Sequence, residues 1–340
     1  MLKNVKTYLF IVLMVLLPCI CGATPVQQKA VSGEANVTDQ AGRAVKIGSQ
    51  VDRIVSGYYI SSSACIALGL ADRLVGIEAR AASRPIYSLA APKLIQLPAV
   101  GTARNFDLEA CIALKPDLVI LPLRLRDSAQ TLAELGIPAI LVNPESYEEL
   151  TEMIALIGEA TGRAAAARRL LDYYERSKKN ISNLTAAIKD ADKPSVYMCG
   201  VSSHLTTAPR GMYQSTMIEL AGGKNAAAID GNSWTEISYE HLLAINPDVI
   251  IIPAEAGYGV AEILGNADLQ RLKAVLGGKV YKMPADFEAW DSPVPSCMLG
   301  ILWSLHVLHE DRYSIDSLRK ETAAFYHDFY GFEINSALIQ

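Results

Sequence analysis

One stretch of the chain occurs twice. Residues 106–122 (FDLEACIALKPDLVILP) align without a gap with residues 237–253 (ISYEHLLAINPDVIIIP). Each copy contains a residue that can cap a helix, a short apolar helical turn, a Pro-Asp pair and a β-branched run typical of a buried strand. The copies lie much further apart than the roughly 20 to 50 residues that separate the units of a solenoid. The repeat therefore predicts two lobes of related architecture, with a cleft between them.

Composition limits the kind of protein and the kind of partner. The chain has 340 residues, of which 51% are hydrophobic and 20% charged, so it can bury a large core and its length favours two domains. The net charge of −5 provides no positive field for a polyanion. We expect no nucleic-acid partner.

The N-terminus has the order of a secretory signal. Lys3 and Lys6 precede an apolar stretch over 8–17, and the small residues Gly22 and Ala23 follow. This stretch is too short for a spanning helix. We predict a signal peptide over 1–23 and a mature protein that is periplasmic or otherwise extracytoplasmic.

The six cysteines give no metal motif. Cys19 and Cys21 fall near the predicted cleavage site, but Pro18 and Ile20 precede them where a lipoprotein signal needs a small residue, so lipid anchoring is the weaker alternative. The other four lack the spacing of a zinc site and are expected to be small buried residues, and the sequence does not decide whether they form disulfides: Cys65, Cys111, Cys199 and Cys297.

Helices and short apolar strands alternate along the rest of the chain. In the first half we predict helices over 61–69, 108–114 and 129–135 and strands over 74–78, 118–121 and 139–142. In the second half we predict, among others, a strand over 226–229. This order is typical of an α/β fold with a parallel sheet, whose ligands collect at the carboxyl ends of the strands. We therefore predict two Rossmann-like lobes, 36–162 and 193–311, joined by a single long linker helix over 163–191 and followed by a C-terminal helix over 312–332.

Several segments, taken in order, give the chain a specific resemblance. They are VTDQAGR at 37–43, RIV at 53–55, LGLADRLVGI at 68–77, the two Pro-Asp strand starts and LAGGKN at 220–225. In these the chain resembles the class III periplasmic substrate-binding proteins of ABC importers, which carry iron siderophores, haem or vitamin B12. The resemblance implies a monomeric binding protein and not an enzyme.

The resemblance also implies how the protein meets its transporter. In that family one Glu from each lobe pairs with Arg residues of the permease dimer, and the matching positions here are Glu109 and Glu240. These are also the two glutamates that the internal repeat places in equivalent positions. Two carboxylates on opposite lobes can orient a binding protein over a two-fold symmetric pore.

Candidate ligand contacts are residues on the loops that follow the predicted strands. Arg suits carboxylate, phosphate or catecholate oxygens because its donors form a fork, and aromatic residues suit an organic ligand. Trp234 occupies a position where vitamin B12 binders of the family carry a pocket Trp. Trp290 lies in a loop that Pro293 and Pro295 are expected to stiffen. The candidates are Tyr58, Tyr59, Arg80, Arg84, Arg104, Arg124 and Arg126 in the first lobe, and His204, Arg210, Trp234, Tyr258 and Trp290, within the segment 286–296, in the second.

The identity of the ligand stays open at this level. An iron complex, such as a siderophore or related metal chelate, is the leading expectation, and Tyr58 or Tyr59 could bind ferric iron through phenolate oxygen. A molybdate or tungstate oxyanion is the main alternative. Cobalamin, weakened by Ala103 at a second pocket-Trp position, and haem are others. A chelatase-like enzyme is disfavoured because the sequence has neither a Gly-rich phosphate loop nor a His/carboxylate pair at catalytic spacing. We expect no catalytic residue, no resident metal and no cofactor other than the bound ligand.

Overall fold

A computed structural model describes residues 35–339 of the chain. The predicted signal peptide over 1–23, with Cys19 and Cys21, lies outside this range. Among the helices that are described, none has the length and apolar character needed to cross a membrane.

The first lobe contains six strands and five helices and is followed by a longer helix. The strands are β1 (Ala35–Thr38), β2 (Ala44–Ile47), β3 (Ile54–Ser56), β4 (Leu74–Gly76), β5 (Leu118–Pro122) and β6 (Ala139–Val142). The helices are α1 (Tyr59–Ala67), α2 (Pro85–Ala90), α3 (Leu108–Ala113), α4 (Arg126–Glu134), α5 (Tyr147–Ala160) and the connecting α6 (Ala164–Thr185).

The second lobe also contains six strands. They are β7 (Ser195–Met198), β8 (Thr206–Thr207), β9 (Lys224–Asn225), β10 (Thr235–Glu236), β11 (Val249–Ile252) and β12 (Val280–Lys282). Its helices are α7 (Tyr213–Leu220), α8 (Tyr239–Ile245), α9 (Val260–Gly265), α10 (Lys273–Leu276) and α11 (Cys297–Leu308), and α12 (Ile315–Tyr330) closes the fold.

The two main sheets have the same topology. The first has the strand order β4-β3-β5-β6 and the second β9-β7-β11-β12, and every pair in both sheets is parallel. All residues of β5 and β11 are buried, as expected of strands covered on both faces. The predicted α/β fold with two parallel-sheet lobes is confirmed.

The repeated Pro-Asp pair has the same structural role in both lobes. Asp117 Oδ2 accepts hydrogen bonds from the backbone N–H groups of Asp52 and Arg53, at 2.9 and 2.8 Å. At the equivalent position Asp248 Oδ2 accepts from the N–H and the hydroxyl of Ser195, at 3.0 and 2.6 Å. Asp117 thus ties the start of β5 to the start of β3, and Asp248 ties the start of β11 to the start of β7.

The helix before each pair also begins and ends alike. Asp107 and Ser238 cap α3 and α8 by accepting from the N–H groups of Ala110 and His241. After the helix, Lys115 and Asn246 both adopt positive φ, 47° and 44°, which turns the chain into the following strand.

Three predicted elements differ from the structure in their extent. The linker helix ends at Thr185 rather than at 191, because the chain turns there and Ile188 N–H donates to Thr185 O at 2.9 Å. The predicted strand over 226–229 does not form: the side chain of Asn225 accepts from Ala227 N–H, and Ala228 has φ 51°. The C-terminal helix spans Ile315–Tyr330 and ends where Gly331 adopts φ 74°.

One apolar core extends through both lobes. The largest buried cluster includes Ile54 of the first sheet, Val249 of the second, and Trp303 and Phe325 of the closing helices. Helix α11 contacts α6, α7 and α12, and α12 also reaches α1. Cys65, Cys111, Cys199 and Cys297 are buried free thiols. The lobes are therefore joined by packed helices as well as by the single connection α6.

Gly300 lets α11 approach the segment that precedes it. A Cβ atom at this position would lie 2.3 Å from the carbonyl oxygen of Trp290. We expect Gly300→Ala to lower the free energy of unfolding by about 1–3 kcal/mol because backbone must move to remove the clash. Gly265→Ala is the matched control, since Gly265 has no neighbour within 4 Å of such a Cβ. Urea unfolding of both variants tests this, and equal midpoints would contradict the close approach.

Candidate ligand-binding site

A cavity of about 170 Å³ lies where the two lobes meet. It is at the carboxyl ends of the strands: its walls follow β3 and β4 in the first lobe and β11 and β12 in the second. The polar side chains that line it are Tyr59, Ser63, Ser83 and Arg84 from the first lobe, and Glu255 and Glu288 from the second.

Arg84 is the cation of this cavity. Its guanidinium lies 3.8 Å from the ring centroid of Tyr59, and Nη1 donates to Glu255 Oε1 of the other lobe at 3.0 Å. Its Nε lies 3.6 Å from Glu78 Oε1, is buried, and has no hydrogen-bond partner among the described residues. Arg84 therefore connects the lobes and keeps one buried donor unused.

Glu78 fixes the first-lobe side of Arg84. This buried carboxylate accepts from Ser62 Oγ through Oε2 and from the hydroxyl of Tyr87 through Oε1, both at 2.7 Å. Burial, together with the carboxylate of Glu78, holds the pKa of Tyr87 well above its usual value. Tyr87 therefore remains a donor, and Glu78 is held in place beside Arg84.

The two adjacent tyrosines face different cavities. Burial raises the pKa of Tyr59 to about 12, although the nearby Ser292 hydroxyl and the charge of Arg84 oppose that rise, so Tyr59 is a neutral phenol near pH 7. Tyr58 packs edge-on against it, with ring centroids 5.3 Å apart, and burial raises its pKa further. Tyr58 lines a separate cavity of about 280 Å³ in the first lobe, beside Arg124 and Glu145.

The second lobe places two buried carboxyl groups near the cavity. Glu288 Oε2 accepts from Ser296 Oγ at 2.5 Å and from the hydroxyl of Tyr330 at 2.9 Å, whereas its Oε1 is buried without a partner among the described residues. Burial raises the pKa of Glu288. Burial also raises the pKa of Asp291 to about 6, and Asp291 Oδ1 accepts from Ala254 N–H at 3.2 Å.

Of the candidates named singly, the structure brings only Tyr59 and Arg84 into the interlobe cavity. The candidate segment 286–296 also lines it, through Phe287, Glu288, Ala289 and Val294. Arg80, Arg104, Arg124 and Arg126 are exposed. The loops of Arg80 and Arg104 are neighbours, because Ala79 N–H donates to Gly101 O at 2.7 Å. Arg124 lies 3.7 Å from Glu145, and in the second lobe Arg210 lies 2.9 Å from Asp230.

The other second-lobe candidates are engaged within their own lobe. His204 Nε2 lies 3.1 Å from the Tyr239 hydroxyl, and burial lowers its pKa. The hydroxyl of Tyr258 donates to Gly200 O at 2.5 Å. Trp234 is half-buried against the main core. None of the three lines either cavity.

Trp290 is a core residue and not a wall of the cleft. It is 0% exposed, and its indole N–H donates to the hydroxyl of Tyr326 at 2.9 Å. The neighbouring prolines did indicate an ordered segment, but they could not show that α11 and α12 cover it. The polar residue of this segment that lines the cavity is Glu288, which the sequence reasoning did not single out.

Glu109 and Glu240 lie at equivalent exposed positions in the first turns of α3 and α8. Hydrogen bonds from its own backbone N–H and from Ser238 lower the pKa of Glu240. The residue before the α3 cap, Phe106, lies beside Gly57 at the carboxyl end of β3. Helix α3 leads into β5, which is parallel to β3, and α8 leads into β11, which is parallel to β7, so both helices begin on the side of the strands' carboxyl ends.

Across residues 35–339 no group of three or more His, Cys, Asp or Glu side chains is arranged to hold a metal ion. The cavity instead offers a guanidinium, a phenol, two serine hydroxyls and two carboxyl groups. Such a set can hold a small ligand by hydrogen bonds and has no nucleophile–base pair.

Two like lobes with a polar cavity between them define a substrate-binding protein. Residues 54–287, more than half of the chain, match the family described as periplasmic binding protein. The chain belongs to this family, so it is an ABC transporter substrate-binding protein and not an enzyme.

Three relatives illustrate the range of the family. The molybdate-binding protein MolA of Haemophilus influenzae is 24% identical, over 86% of this chain and 90% of its own. The solved structure of MolA bound to molybdate has a TM-score of 0.80 at 23% identity, covering 88% of this chain and 99% of that one, and so supports the fold. An uncharacterized ABC transporter substrate-binding lipoprotein of Bacillus subtilis, YvrC, is 25% identical over 78% and 83% of the two chains. The haem uptake protein IsdE of Staphylococcus aureus is 27% identical over 55% and 66%.

Removing the Glu78 carboxylate should destabilise the first lobe. Glu78→Ala would leave the Tyr87 hydroxyl, Ser62 and the charge of Arg84 without their buried partner, so we expect a loss of about 3 kcal/mol in the free energy of unfolding. Glu134→Ala, which removes an exposed carboxylate bonded to Gln130, is the control and should change stability little. Urea unfolding measures both, and equal effects of the two substitutions would refute this role of Glu78.

Proposed function

We propose that this protein is the extracytoplasmic substrate-binding component of an ABC importer and that its ligand is a small tetrahedral oxyanion of the molybdate or tungstate kind. The observation that carries the proposal is the interlobe cavity, which is lined by the cationic side chain of Arg84 together with the hydroxyl-bearing residues Tyr59, Ser63 and Ser83.

The size of the cavity favours a small ligand. Sites for drug-sized molecules usually enclose about 300–1,000 Å³. The interlobe cavity is only about 170 Å³. A siderophore or haem would not fit within this volume, whereas an oxyanion of five heavy atoms would.

The donor chemistry is also that of an anion site. Arg84, Tyr59, Ser63 and Ser83 supply N–H and O–H groups from the first lobe. Glu255 now occupies Nη1 of Arg84, but its side chain is 55% exposed and can rotate into solvent. An oxyanion would then replace Glu255 as the partner of Arg84. MolA, named for molybdate and similar over most of its length, supports the same ligand class.

An iron chelate is the second candidate, and the observation that favours it is the group of exposed first-lobe arginines. Arg80, Arg104 and Arg124 follow β4 or β5 on the carboxyl edge of the sheet, where they could contact a large anionic chelate above the cavity. The relationship to the haem uptake protein IsdE supports a ligand of that size.

The oxyanion proposal is tested by calorimetry with molybdate. Arg84→Ala should weaken binding by about 10- to 100-fold, since a hydrogen bond to a charged group is worth about 1.5–3 kcal/mol. Arg271→Ala, at an exposed position near the start of β11, is the control and should bind like the wild type. Absence of molybdate binding together with tight binding of a ferric siderophore, sensitive to substitution of Arg80, Arg104 and Arg124, would favour the chelate instead.

Delivery to the transporter is proposed to use Glu109 and Glu240 as contacts with Arg residues of the permease dimer, one from each lobe. The support is their exposure, their equivalent positions and the cleft-side location of both helix starts. The predicted signal peptide over 1–23 and the family of periplasmic binding proteins support a location outside the cytoplasm.

Charge reversal separates docking from binding. The double variant Glu109→Lys/Glu240→Lys should abolish molybdate uptake by cells that rely on this protein, because like charges would then face each other at the permease. Its affinity for molybdate in solution should not change, since neither side chain lines the cavity. Glu134→Lys is the matched control for an exposed charge reversal, and normal uptake by the double variant would exclude this docking mode.

A further inference from the structure

Glu288 is a buried polar group of the cavity with one oxygen atom that makes no hydrogen bond among the described residues. The residue is 5% exposed and lines the interlobe cavity from the second lobe, opposite Ser63 and Arg84. Its Oε2 accepts two hydrogen bonds, from Ser296 Oγ and from the hydroxyl of Tyr330, and these fix the carboxyl group from behind. Its Oε1 is buried without any hydrogen bond among the described residues.

An unused carboxyl oxygen at this place has a chemical cost. Burying a polar atom without a partner is unfavourable by about 1–3 kcal/mol, and burying it ionised is worse. The cost is removed when Oε1 carries a proton and donates it to an acceptor. A tetrahedral oxyanion beside Arg84 supplies acceptor oxygens and no donor, so the ionised form of Glu288 would repel it.

We propose that Glu288 is a specificity-determining ligand contact that donates a hydrogen bond from protonated Oε1 to the bound oxyanion. This inference rests on the proposed oxyanion function. It assigns the two lobes separate roles: the first supplies the positive charge through Arg84, and the second supplies a neutral carboxylic acid. Arg84 and protonated Glu288 together select oxyanions that are fully deprotonated, such as molybdate. Hydrogen phosphate carries a proton of its own and would place a second donor against the donor of Glu288.

A pH dependence of known sign follows. The binding-competent form is the protonated one, so affinity is complete below the pKa of Glu288 in the free protein and falls by up to about tenfold per pH unit above it. Burial raises that pKa, while the hydroxyls of Ser296, Ser63 and Tyr330 and the charge of Arg84 oppose the rise. Binding above that pKa takes up one proton.

The other groups around Glu288 do not give the same dependence. Tyr330, Tyr326 and Cys297 have pKa values raised by burial and stay protonated. Two further carboxyl groups lie beside Arg84: Glu78 of the first lobe and Glu255 of the second. Asp291 is the one other nearby carboxyl group with a raised pKa among the described residues, at about 6, and it serves as the control.

The experiment measures the dissociation constant for molybdate by calorimetry between about pH 6 and pH 8.5, where molybdate is a dianion, in wild type, Glu288→Gln and Asp291→Asn. The glutamine keeps the acceptor for Ser296 and Tyr330 and offers an N–H donor at every pH. We expect the wild-type affinity to fall as pH rises, Glu288→Gln to bind with little pH dependence, and Asp291→Asn to keep the wild-type slope. Calorimetry in buffers of different ionisation enthalpy should show that the wild type takes up a proton on binding at the higher pH but not below the pKa of Glu288.

A second measurement needs no variant. The infrared difference spectrum of wild type on adding molybdate at the higher pH should gain the band of a protonated carboxyl group. An unchanged pH slope in Glu288→Gln, no gain of that band, or tighter binding of phosphate than of molybdate would overturn the role of Glu288. Absence of molybdate binding at every pH would instead overturn the oxyanion function, and this inference with it.

Discussion

Parallel pairing in both sheets is the constraint on which the rest of this structure depends. Since every strand of a lobe runs in the same direction, all carboxyl ends emerge at one edge, and each return helix begins there. Two sheets of identical topology bring two such edges together. The loops after β3 and β4 then meet the loops after β11 and β12, and helices α6, α11 and α12 hold the edges at a fixed separation through a common core. The cavity is a consequence of this arrangement, and the site residues are those that these four connections carry.

One cation and three carboxyl groups lie close together at the cavity. Arg84 is surrounded by Glu78 of its own lobe, by Glu255 of the other and, across the cavity, by Glu288. These carboxyl groups differ in their surroundings. Glu78 is fixed by two hydroxyl donors, Glu255 reaches solvent, and Glu288 is buried with one oxygen unused. A glutamate side chain can therefore hold Arg84 in place, be displaced by a ligand or contact one. Which of these it can do depends on its exposure to water and on the number of hydrogen-bond donors around it.

The fold could be predicted because its signals are local. The β-branched runs of β5 and β11, the capped helix starts at Asp107 and Ser238, and the Pro-Asp pairs each depend on a few adjacent residues. The site could be predicted only in part. Tyr59 and Arg84, which lie in connections that follow β3 and β4, do line the interlobe cavity, whereas most other candidates on similar connections lie outside it. Trp290 was placed on the cleft because nothing local shows that two distant helices bury it. Glu78 ends a predicted strand, so its position met the same criterion as the candidates, although it was not one of them.

The sequence alone determined the two-lobed parallel architecture and the equivalence of Glu109 and Glu240, because periodicity, helix caps and an internal repeat set those properties. Its resemblance to known substrate-binding proteins implied the family. Only the tertiary structure decided which polar side chains meet. Ser63, Arg84, Glu255 and Glu288 come from four separate parts of the chain, and their hydrogen bonds, burial and pKa values depend on distances that local pattern does not contain. Any ligand would be recognised through those distances, so the resemblance led to the expectation of an iron chelate, while the proposal of an oxyanion rests on the size and lining of the cavity.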